Sequence, residues 1–431
     1  MVKAVILAGG KGERLGSLTR RIPKPMLKIG NIPLLEHQIN LLKKYGIKEI
    51  IVATCYLSEV IENYFKDGKN FGVRISYFRE ESPLGTAGGL KEIGSALKND
   101  FLLLYGDVMA NLDINGLIKF HKKKGGIASL ALHPNDHPQD SDLAEINQDK
   151  RIASFHAKPH PGNKYFQNLV NAGLYALSPK IIKYIKRGVK ADFGKDVFPK
   201  LISADKLYGY VTAEYLKDMG TPLRLAEVRK DYKSGKISRL NRENKRRAIF
   251  LDRDGTINDA LRDVCRLKDF KLLPESAEAI KKINWSEFLA IVITNQPAIA
   301  KGLCAIDDIE KIHKKIGWLL GKAGAKLDAI YYCPNHPDRG FTGENLSYKI
   351  KCNCRKPEIG MIIRAKNDFN INLKESYFVG DSWRDILCGK KAGITTLGVK
   401  TGKGCCDGNA KPDYLFKNLN RAVNFIIKKT K

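Results

Sequence analysis

The sequence contains no long apolar run. Its opening stretch, MVKAVILAGGKGERL, is interrupted by glycine and charged residues after a few apolar side chains. No later run approaches the roughly eighteen apolar residues that a membrane span needs. Because a signal peptide also needs a longer apolar segment, the sequence predicts a cytoplasmic protein without a membrane partner.

Cysteine is scarce as well. The 431 residues include nine cysteines, too few for a disulfide-stapled scaffold in a chain of this length. Three of them, Cys333, Cys352 and Cys354, lie close together in the sequence. This spacing indicates a metal site rather than disulfide bonds.

Acidic residues are in the minority, with 46 against 75 basic residues and a net charge of +29. Such an excess favours nucleic acid, an anionic membrane or small polyanionic substrates as partners. The lysines are spread over the chain, and the densest cluster, KSGKISRLNRENKRR at 233–247, is typical of a solvated linker. Because no aromatic-rich module stands beside it, we expect phosphorylated small molecules rather than nucleic acid.

The chain shows two successive α/β patterns, without internal repeats or low-complexity segments. Strand-like runs such as AVILA, EIIVAT and FLLLYGD alternate with amphipathic stretches up to about residue 232. The alternation restarts with RAIFLD, LAIVIT and ESYFVGD. Two doubly wound α/β domains are therefore predicted, at 1–235 and 247–431, with a basic linker at 236–246.

The first predicted phosphate site follows the first strand. In LAGGKGERL, Gly9, Gly10 and Gly12 allow backbone N–H groups to approach a polyphosphate, and Arg14 and Lys24 add positive charge. The third glycine of the dinucleotide-binding fingerprint is absent. The loop alone would also fit a tight turn without a ligand, but PKPM a dozen residues later makes the phosphate site more specific.

These motifs resemble sugar-1-phosphate nucleotidyltransferases. LAGGKGERL, PKPM, SPLGTAGGL, LLLYGDV, VNAGLYALSP and DMGTP occur in the order found in that family, and the short form is most similar to heptose- and mannose-1-phosphate guanylyltransferases. The resemblance implies a Rossmann-like mixed sheet and transfer of a nucleotidyl group to a sugar phosphate, with Mg²⁺ neutralising the charges that meet.

The resemblance also implies a role for individual residues. The nucleoside triphosphate, with GTP favoured, would be held by Gly9, Gly10, Gly12, Arg14 and Lys24, and its base and ribose by Gly85 and Thr86. The sugar phosphate would contact Asn171, Gly173 and Lys158, and Mg²⁺ would be bound by Asp107 and Asp218. Relatives usually carry an acidic residue where this chain has Ala157. The resemblance therefore specifies the sugar less well than the nucleotide.

The second predicted phosphate site follows another apolar strand. Asp252 and Asp254 in AIFLDRDGTIN are two residues apart, and side chains at i and i+2 of a strand share a face. One carboxylate can attack phosphorus while the other handles a proton. Two acids in a turn are usually just solvated, but the strongly apolar strand before them favours a catalytic function.

DRDGT, VITNQ, CRKPEIGM and VGDSWRD together resemble the haloacid dehalogenase superfamily of phosphatases. The resemblance implies that Asp252 is the nucleophile, that Asp254 is the general acid and base, and that Asp381 completes the Mg²⁺ site with Asp252 and Asp254. Phosphate and substrate contacts would come from Arg253, Asn258, Thr294, Asn295, Arg355 and Lys356.

YYCPNHP and CNC add Cys333, His336, Cys352 and Cys354, a set that suits a structural zinc ion. This arrangement resembles zinc-stapled phosphatases that act on heptose 1,7-bisphosphate or histidinol phosphate. Three ordinary buried cysteines are the alternative. The ligand histidine of the relatives stands where this chain has Asn335, so His336 would have to turn in. Pro297, Ala298 and Ser382 also depart from the family pattern.

Together the two resemblances predict a bifunctional enzyme. Removing the 7-phosphate of heptose 1,7-bisphosphate leaves heptose 1-phosphate, and a guanylyltransferase can activate that product for surface polysaccharide. A mannose- or glucose-1-phosphate nucleotidyltransferase joined to another small-molecule phosphatase is the alternative, and a nucleotide-sensing protein is a third. The base, the sugar and the oligomeric state remain open at this stage.

Overall fold

The computed structural model describes residues 2–162, 164–259 and 263–430, and these form two compact units. The first unit reaches to His133 and adds Ser141–His160 and Leu169–Asn241. The second unit begins at Arg242 and includes two short earlier segments, Pro134–Asp140 and Pro161–Asn168. The change from one unit to the other along the main chain lies at residues 241–242, inside the stretch predicted as a linker.

Strands and helices alternate through the first unit. Its strands are β1 (Lys3–Leu7), β2 (Lys28–Ile29), β3 (Ile32–Pro33), β4 (Glu49–Thr54), β5 (Arg74–Arg79), β6 (Phe101–Tyr105), β7 (Val108–Asn111), β8 (Ala128–His133), β9 (Leu143–Ile146), β10 (Ile152–His156), β11 (Val170–Leu177), β12 (Leu207–Val211) and β13 (Tyr215–Asp218). Its helices are α1 (Leu34–Lys44), α2 (Ser58–Phe65), α3 (Gly85–Glu92), α4 (Ile114–Lys124), α5 (Phe198–Ser203), α6 (Pro222–Lys233) and α7 (Lys236–Arg239).

The main sheet of this unit is mixed, as the sequence predicted. Strands β5, β4, β1 and β6 are parallel neighbours, and β11 continues the sheet antiparallel to β6. Strands β8 and β12 extend it on one branch, and β9 and β10 on another. Apolar side chains alternate between the two faces of β1, so that Ala4 and Ile6 belong to one buried cluster and Val5 to another.

The second unit contains a parallel sheet covered by helices. Its strands are β14 (Arg247–Leu251), β15 (Phe288–Asn295), β16 (Ala329–Cys333), β17 (Tyr377–Gly380), β18 (Thr395–Val399) and β19 (Tyr414–Phe416). Its helices are α8 (Ser276–Trp285), α9 (Ile306–Lys322), α10 (Gly360–Phe369), α11 (Trp383–Lys391) and α12 (Leu419–Lys429). The strand order is β16-β15-β14-β17-β18-β19, with all neighbours parallel.

Parallel strands place their carboxyl ends along one edge, where α/β folds bind ligands. Asp252 follows β14, Cys333 ends β16 and Asp381 follows β17, so the predicted phosphatase and metal residues share this edge. The fold therefore explains why residues far apart in the sequence can contribute to one site.

The basic stretch at 233–247 is not a solvated linker throughout, so that prediction was wrong in part. Ile237 is buried in an apolar cluster of the first unit, and Asn241 donates to Asn111 Oδ1 at 2.8 Å. Arg246 is 3% exposed, and its Nε donates to the carbonyl of Phe369 at 2.6 Å. Side chains with such partners lose their exposure to solvent even within a strongly basic sequence.

Among the described residues, none of the helices combines the length and the apolar character that crossing a membrane requires.

Candidate active sites

A cavity of about 610 Å³ opens at the carboxyl end of β1 in the first unit. The glycine-rich loop forms one wall, and the start of α3 forms another. Seven residues predicted to contact the nucleotide or its metal ion line this cavity: Gly9, Gly10, Gly12, Lys24, Gly85, Thr86 and Asp107. The structure therefore gathers residues from four separate motifs around one space.

Two cation–carboxylate pairs stand beside the cavity. Lys24 Nζ lies 2.5 Å from Asp107 Oδ2, and Arg224 Nη1 contacts both oxygens of Asp218 at 3.0 and 2.9 Å. Asp218 ends β13, whose partner β7 begins directly after Asp107, and Met219 N–H donates to the Asp107 carbonyl. The antiparallel pairing of β7 and β13 thus brings the two predicted Mg²⁺ ligands into neighbouring positions.

The electrostatic state of Asp218 follows from these contacts. Burial favours its neutral form, but the Arg224 guanidinium and the Gly220 N–H outweigh this and hold the pKa of Asp218 below its usual value. Because Gly220 has no side chain, Arg14 can lie alongside: a Cβ there would come within 2.8 Å of Arg14 Nη2. Arg14 and Arg224 therefore both lie next to Asp218, and sequence reasoning missed Arg224.

The start of α3 is shaped by backbone geometry. Gly85 has φ +79°, and a Cβ there would lie 2.4 Å from the carbonyl oxygen of Ala191. Thr86 Oγ1 donates to Asp192 Oδ2 at 2.7 Å and accepts from Phe193 N–H at 3.0 Å. These contacts lock the helix start to the segment at 191–193, of which Ala191 and Asp192 also line the cavity.

Three residues predicted to contact the sugar do not line the cavity: Asn171, Gly173 and Lys158. Asn171 Nδ2 donates to Tyr175 Oη at 2.9 Å, and Tyr175 Oη donates to Tyr105 Oη at 3.1 Å. Tyr105 does line the cavity, so Asn171 supports its wall rather than facing it. The Lys158 side chain is exposed, and its N–H donates to Asp142 Oδ1 at 3.1 Å.

Glu80 is a cavity residue that sequence reasoning missed. Its Oε2 accepts from Leu84 N–H at 3.4 Å and faces Gly9, whose Cβ position would lie 3.6 Å away. A Cβ on Gly89 would lie 2.2 Å from Glu80 Oε1. Burial raises the pKa of Glu80 above its usual value. Glu80 lies between the end of β5 and the PLGTAGG motif, and this position in the sequence could have indicated a cavity residue.

In the second unit, Lys356 joins two carboxylates, Asp252 after β14 and Asp385 in the first turn of α11. Its Nζ lies 2.7 Å from Asp252 Oδ1 and 2.6 Å from Asp385 Oδ1, and it donates to the Ile293 carbonyl at 2.8 Å. Lys356 is 3% exposed. A buried ammonium with three oxygen partners can also bind the oxygens of a phosphoryl group. Asp385, four residues after Asp381, was not predicted.

Asp254 is held by an extensive set of donors. Arg253 Nη2 contacts both of its oxygens at 2.9 Å, Gln296 Nε2 donates at 2.7 Å and Asn258 Nδ2 at 2.9 Å. Arg253 is fully buried and also donates to Gln296 Oε1 at 2.8 Å. The Arg253 guanidinium thus positions Asp254, and the contact of Arg253 with substrate stays a prediction.

Asn295 and Thr294 support the same centre from β15. Asn295 exchanges two hydrogen bonds with the backbone of Lys356, at 2.9 and 3.0 Å. Thr294 Oγ1 accepts from Gln296 Nε2 at 3.0 Å. Asn295 thus holds the loop that carries Lys356. Although Pro297 lacks an N–H, its carbonyl accepts from Lys301 N–H, and the carbonyl of Ala298 accepts from Leu303 N–H.

Asp381 is enclosed by backbone from two loops. Lys403 N–H donates to its Oδ2 at 2.8 Å. Glycines at 255 and 402 approach the same oxygen, and a Cβ would lie 2.4 and 2.2 Å from it, respectively. The two positions therefore leave no room for a side chain next to this carboxylate.

The clustered carboxylates raise one another's pKa values. Burial and the Asp385 charge raise the pKa of Asp252 well above its usual value, against the opposing effect of Lys356. Burial and Asp385 also raise the pKa of Asp381 to about 7. Such mutual repulsion marks a site where a divalent cation would be favourable, and the ligand oxygens of the three carboxylates lie within 4.8 Å of one another. They fit Mg²⁺; the Asp254 carboxylate is not part of this group.

Three thiols form a second metal-capable group, at Cys333, Cys352 and Cys354. Burial opposes ionisation of Cys352, but hydrogen bonds from Asn335 and Cys354 lower its pKa to about 7. Thiolates suit zinc. His336 does not join the group in the described part of the chain, which corrects the predicted four-ligand set: its Nδ1 instead accepts from Asp338 N–H at 3.3 Å.

A smaller cavity, of about 260 Å³, adjoins Lys356. Lys351, Arg355 and Arg384 line it together with His336, opposite Asp338 and Glu358. Arg355 Nη1 donates to the Asn335 carbonyl at 3.1 Å. Arg355 and Arg384 therefore both line the cavity next to Lys356, and a contact of Arg355 with substrate stays a prediction.

Several curated proteins are similar to about half of this chain. A mannose-1-phosphate guanylyltransferase of Mycobacterium tuberculosis is 36% identical over 224 residues, which are 51% of this chain and 62% of that protein. A UTP–glucose-1-phosphate uridylyltransferase of Synechocystis is 36% identical over 217 residues, or 47% and 56%. A mannose-1-phosphate guanyltransferase of Saccharomyces cerevisiae is 35% identical over 251 residues, or 57% and 66%. The chain thus spans less than two thirds of these relatives.

Solved structures are also similar to parts of the chain. HddC from Yersinia pseudotuberculosis is 27% identical and covers 54% of this chain and all of its own, with a TM-score of 0.48. A D,D-heptose 1,7-bisphosphate phosphatase from B. bronchiseptica is 28% identical and covers 42% of this chain and 99% of its own, with a TM-score of 0.37.

Family profiles match both units. The HAD-hydrolase-like profile matches residues 353–422, which include Lys356 and Asp381. The nucleotidyl transferase profile matches residues 3–235, more than half of the chain. The chain therefore belongs to the nucleotidyl transferase family and carries a second domain of the haloacid dehalogenase-like hydrolase type.

Proposed function

We propose that this chain is a bifunctional enzyme that removes the 7-phosphate from heptose 1,7-bisphosphate and then transfers a nucleotidyl group, from GTP, to the resulting heptose 1-phosphate. The observation that carries the proposal is the presence on one chain of a glycine-lined cavity with a Lys24–Asp107 pair and a buried Asp252–Lys356–Asp385 cluster. One arrangement suits polyphosphate binding, and the other suits phosphoryl transfer through a carboxylate.

In the first reaction centre, a phosphate oxygen of the sugar phosphate attacks the α-phosphorus of the nucleotide, and pyrophosphate leaves. Gly9, Gly10 and Gly12 offer backbone N–H groups to the polyphosphate, and Lys24 supplies fixed positive charge in the cavity wall. Arg14, next to Gly220, adds charge beside the cavity. Asp107 and Asp218 would hold Mg²⁺, which neutralises charge on the meeting phosphates when bound. Lys24 and Arg224 pair with these carboxylates and keep them in position.

Glu80 supports GTP as the nucleotide. A carboxylate accepts hydrogen bonds and, when ionised, donates none. Guanine presents two neighbouring donors, N1–H and N2–H, on its Watson–Crick edge, whereas uracil and thymine present one donor between two acceptors. A carboxylate in the cavity wall, facing Gly9, matches guanine and repels the acceptors of the other bases.

In the second reaction centre, Asp252 attacks the phosphorus, and the bond to the sugar oxygen breaks. Asp254 gives its proton to that oxygen, and it then takes a proton from the water that cleaves the aspartyl-phosphate to release inorganic phosphate. Lys356 pairs with the phosphoryl oxygens. Asp252, Asp381 and Asp385 fit Mg²⁺, which would offset the charge brought by the substrate.

The cationic cavity beside Lys356 supports a substrate with a second phosphate. Lys351, Arg355 and Arg384 exceed the acidic residues that line it, and Lys356 connects it to Asp252. A sugar bisphosphate can place one phosphate at Asp252 and the other among these cations, while a monophosphate leaves them without an anion.

The assignment of heptose as the sugar depends on the combination of motifs in the two domains. If one domain removes the 7-phosphate and the other activates the 1-phosphate, two successive reactions explain why the domains share a chain. A second candidate is a mannose- or glucose-1-phosphate nucleotidyltransferase joined to a phosphatase of other specificity. The relatives from Mycobacterium and Synechocystis, which are named for mannose 1-phosphate and glucose 1-phosphate, favour this candidate.

The test is to incubate the full chain with Mg²⁺, heptose 1,7-bisphosphate and one nucleoside triphosphate at a time, and to measure free phosphate and nucleotide-sugar by mass spectrometry. Mannose 1-phosphate, glucose 1-phosphate and heptose 7-phosphate are the comparison substrates. We expect GDP-heptose with GTP, little product with the other nucleotides, and slower phosphate release from heptose 7-phosphate than from the bisphosphate.

The other outcomes separate the two candidates. Phosphate release without nucleotide-heptose, together with product from mannose or glucose 1-phosphate, would support the second candidate. Neither phosphate nor product from any heptose substrate would contradict the heptose assignment.

A further inference from the structure

The cysteine group in the second unit converges on one point. Cys354 Sγ lies 2.9 Å from Cys333 Sγ and 3.1 Å from Cys352 Sγ, and the remaining pair is separated by 3.5 Å. Around a tetrahedral zinc ion with Zn–S bonds of about 2.3 Å, the sulfurs would be about 3.8 Å apart. Small outward movements of three side chains would therefore admit one ion.

The fourth corner of a closed structural zinc site is normally another cysteine or a histidine. The nearest histidine in the sequence, His336, is engaged elsewhere. Its Nδ1 accepts from Asp338 N–H at 3.3 Å, and its ring packs edge-on against Phe341 with a centroid distance of 5.7 Å. It also lines the cationic cavity with Arg355 and Arg384. His336 therefore belongs to the wall of the cavity.

Asn335 occupies the position next to the thiols. Its Nδ2 lies 3.6 Å from Cys354 Sγ and donates to it, and the residue is 8% exposed. Its carbonyl oxygen accepts from Arg355 Nη1 at 3.1 Å, which fixes the turn. A carboxamide N–H₂ group has no lone pair to give to a metal, but it stabilises a neighbouring thiolate by donating a hydrogen bond.

Among the described residues, the group of side chains close enough to share this ion contains the three cysteines and no other ligand. We infer that Cys333, Cys352 and Cys354 bind a zinc ion as a three-thiolate site, that its fourth ligand is water or a small anion rather than His336, and that Asn335 donates a hydrogen bond to the thiolates. The inference concerns the metal site alone and does not depend on the proposed substrates.

A zinc ion with three thiolate ligands from the protein keeps one position for an exchangeable ligand. Zinc with four protein ligands has no such position. The site would bind its metal less tightly than a four-ligand site, and restoring a protein ligand would tighten it. Replacing Asn335 by histidine offers such a ligand directly, since position 335 already faces Cys354.

The test uses Co²⁺ as a spectroscopic probe for zinc in the full chain. Reduced protein is stripped of metal with a chelator and titrated with Co²⁺, and zinc affinity is measured by competition. The thiolate-to-cobalt charge-transfer band reports the number of sulfur ligands, and the visible d–d bands report the fourth ligand. X-ray absorption of the zinc form gives the count of sulfur and of oxygen or nitrogen neighbours.

With Mg²⁺ present to occupy the carboxylate sites, we expect one thiolate-bound Co²⁺ per chain, with three sulfur ligands and one oxygen ligand in the wild type. His336→Ala and His336→Gln should leave the spectrum and the zinc affinity unchanged. Asn335→His should shift the d–d bands and tighten zinc binding by roughly tenfold or more, the scale on which single partners of metal sites act. Cys352→Ser should weaken the charge-transfer band by about a third, because it removes one of three thiolates.

Loss of affinity or of the d–d pattern in both His336 variants, with thermal unfolding unchanged, would overturn the inference, because it would make His336 a ligand. Absence of bound Co²⁺ and zinc in the wild type would overturn it as well. Two His336 variants are measured because a folding defect in one of them alone could change zinc affinity without His336 being a ligand.

Discussion

At the scale of single residues, the side chain at position 80 decides which hydrogen bonds the cavity wall can offer to a base. A carboxylate offers acceptors alone, whereas a carboxamide offers an acceptor and donors. Glu80 presents two acceptor oxygens to the cavity, one of which already accepts from Leu84 N–H. A glutamine in its place would present one acceptor and two donors in nearly the same volume. A hydrogen bond to an ionised group contributes more free energy than one to a neutral group, so the exchange changes selectivity more than packing.

We therefore expect Glu80→Gln to lower kcat/KM for GTP by roughly 10- to 100-fold, which corresponds to about 1.5–3 kcal/mol for a charged hydrogen bond. The amide can pair with a base that offers one donor and one acceptor, so the ratio of UTP to GTP use should rise. Steady-state kinetics with both nucleotides and a single sugar 1-phosphate measure both quantities.

Glu81→Gln is the matched control, because it makes the same chemical change at the neighbouring exposed position. It should leave the nucleotide preference unchanged. If Glu80→Gln also left the preference unchanged, the carboxylate would not read the base, and GTP selectivity would need another source.

At the scale of secondary structure elements, the sequence predicted strands and the residues at their ends, but not which distant side chains pair. Apolar strands followed by glycine or aspartate predicted β1, β14 and β17 and the residues at their ends, because short apolar runs identify buried parallel strands. Lys24 and Lys356 were predicted from motifs, but their pairing with Asp107 and Asp385 depends on how distant strand ends meet.

Side-chain directions in loops could not be predicted from the sequence, because they depend on the conformation of the turn. His336 and Asn335 are adjacent in sequence, and the turn decides which of them faces the thiols. Backbone direction in a loop has no periodic pattern that would reveal it. The contacts of Arg253 could not be predicted for a similar reason: a charged residue in a turn is usually exposed, whereas here its guanidinium contacts Asp254 and Gln296.

The loop after β18 provides a prediction at this scale. Gly402 has φ +63°, and a Cβ there would lie 2.2 Å from Asp381 Oδ2 and 2.7 Å from the Gly255 Cα. Gly402→Ala must displace either the carboxylate or the loop that donates to it. We expect phosphate release to slow by about tenfold or more, since small misplacements of reacting groups cost that much, while nucleotidyl transfer is unchanged.

Gly393→Ala separates the displacement from the cost of the backbone conformation. Gly393 has φ +70°, but nothing lies within 4 Å of its Cβ position. Gly393→Ala should lose about 1 kcal/mol of unfolding free energy, because alanine is disfavoured in the left-handed region. Gly402→Ala should lose more, because its Cβ also overlaps Asp381. Gly393→Ala should keep its rate of phosphate release, and an equal loss of rate in both variants would contradict the proposed role of the loop.

At the scale of the whole molecule, two reaction centres share one strongly basic chain. The net charge of +29 raises the local concentration of phosphorylated substrates, and each centre adds fixed cations of its own. In the proposed sequence of reactions, the phosphate removed at Asp252 is not the phosphate that attacks the nucleotide at Asp107. The two reactions can therefore be switched off separately, and the intermediate identifies their order.

Asp252→Asn removes the nucleophile, and Asp107→Asn removes a negative charge beside Lys24. Given heptose 1,7-bisphosphate and GTP, Asp252→Asn should form neither phosphate nor GDP-heptose, and added heptose 1-phosphate should restore GDP-heptose. Asp107→Asn should release phosphate at the normal rate and accumulate heptose 1-phosphate. Mixing the two variants should restore the final product after a lag, because the intermediate must first build up in solution. Mass spectrometry follows the bisphosphate, heptose 1-phosphate and GDP-heptose, and a colorimetric assay follows free phosphate. If Asp252→Asn instead accumulated GDP-heptose 7-phosphate, transfer would precede dephosphorylation and the proposed order would be reversed.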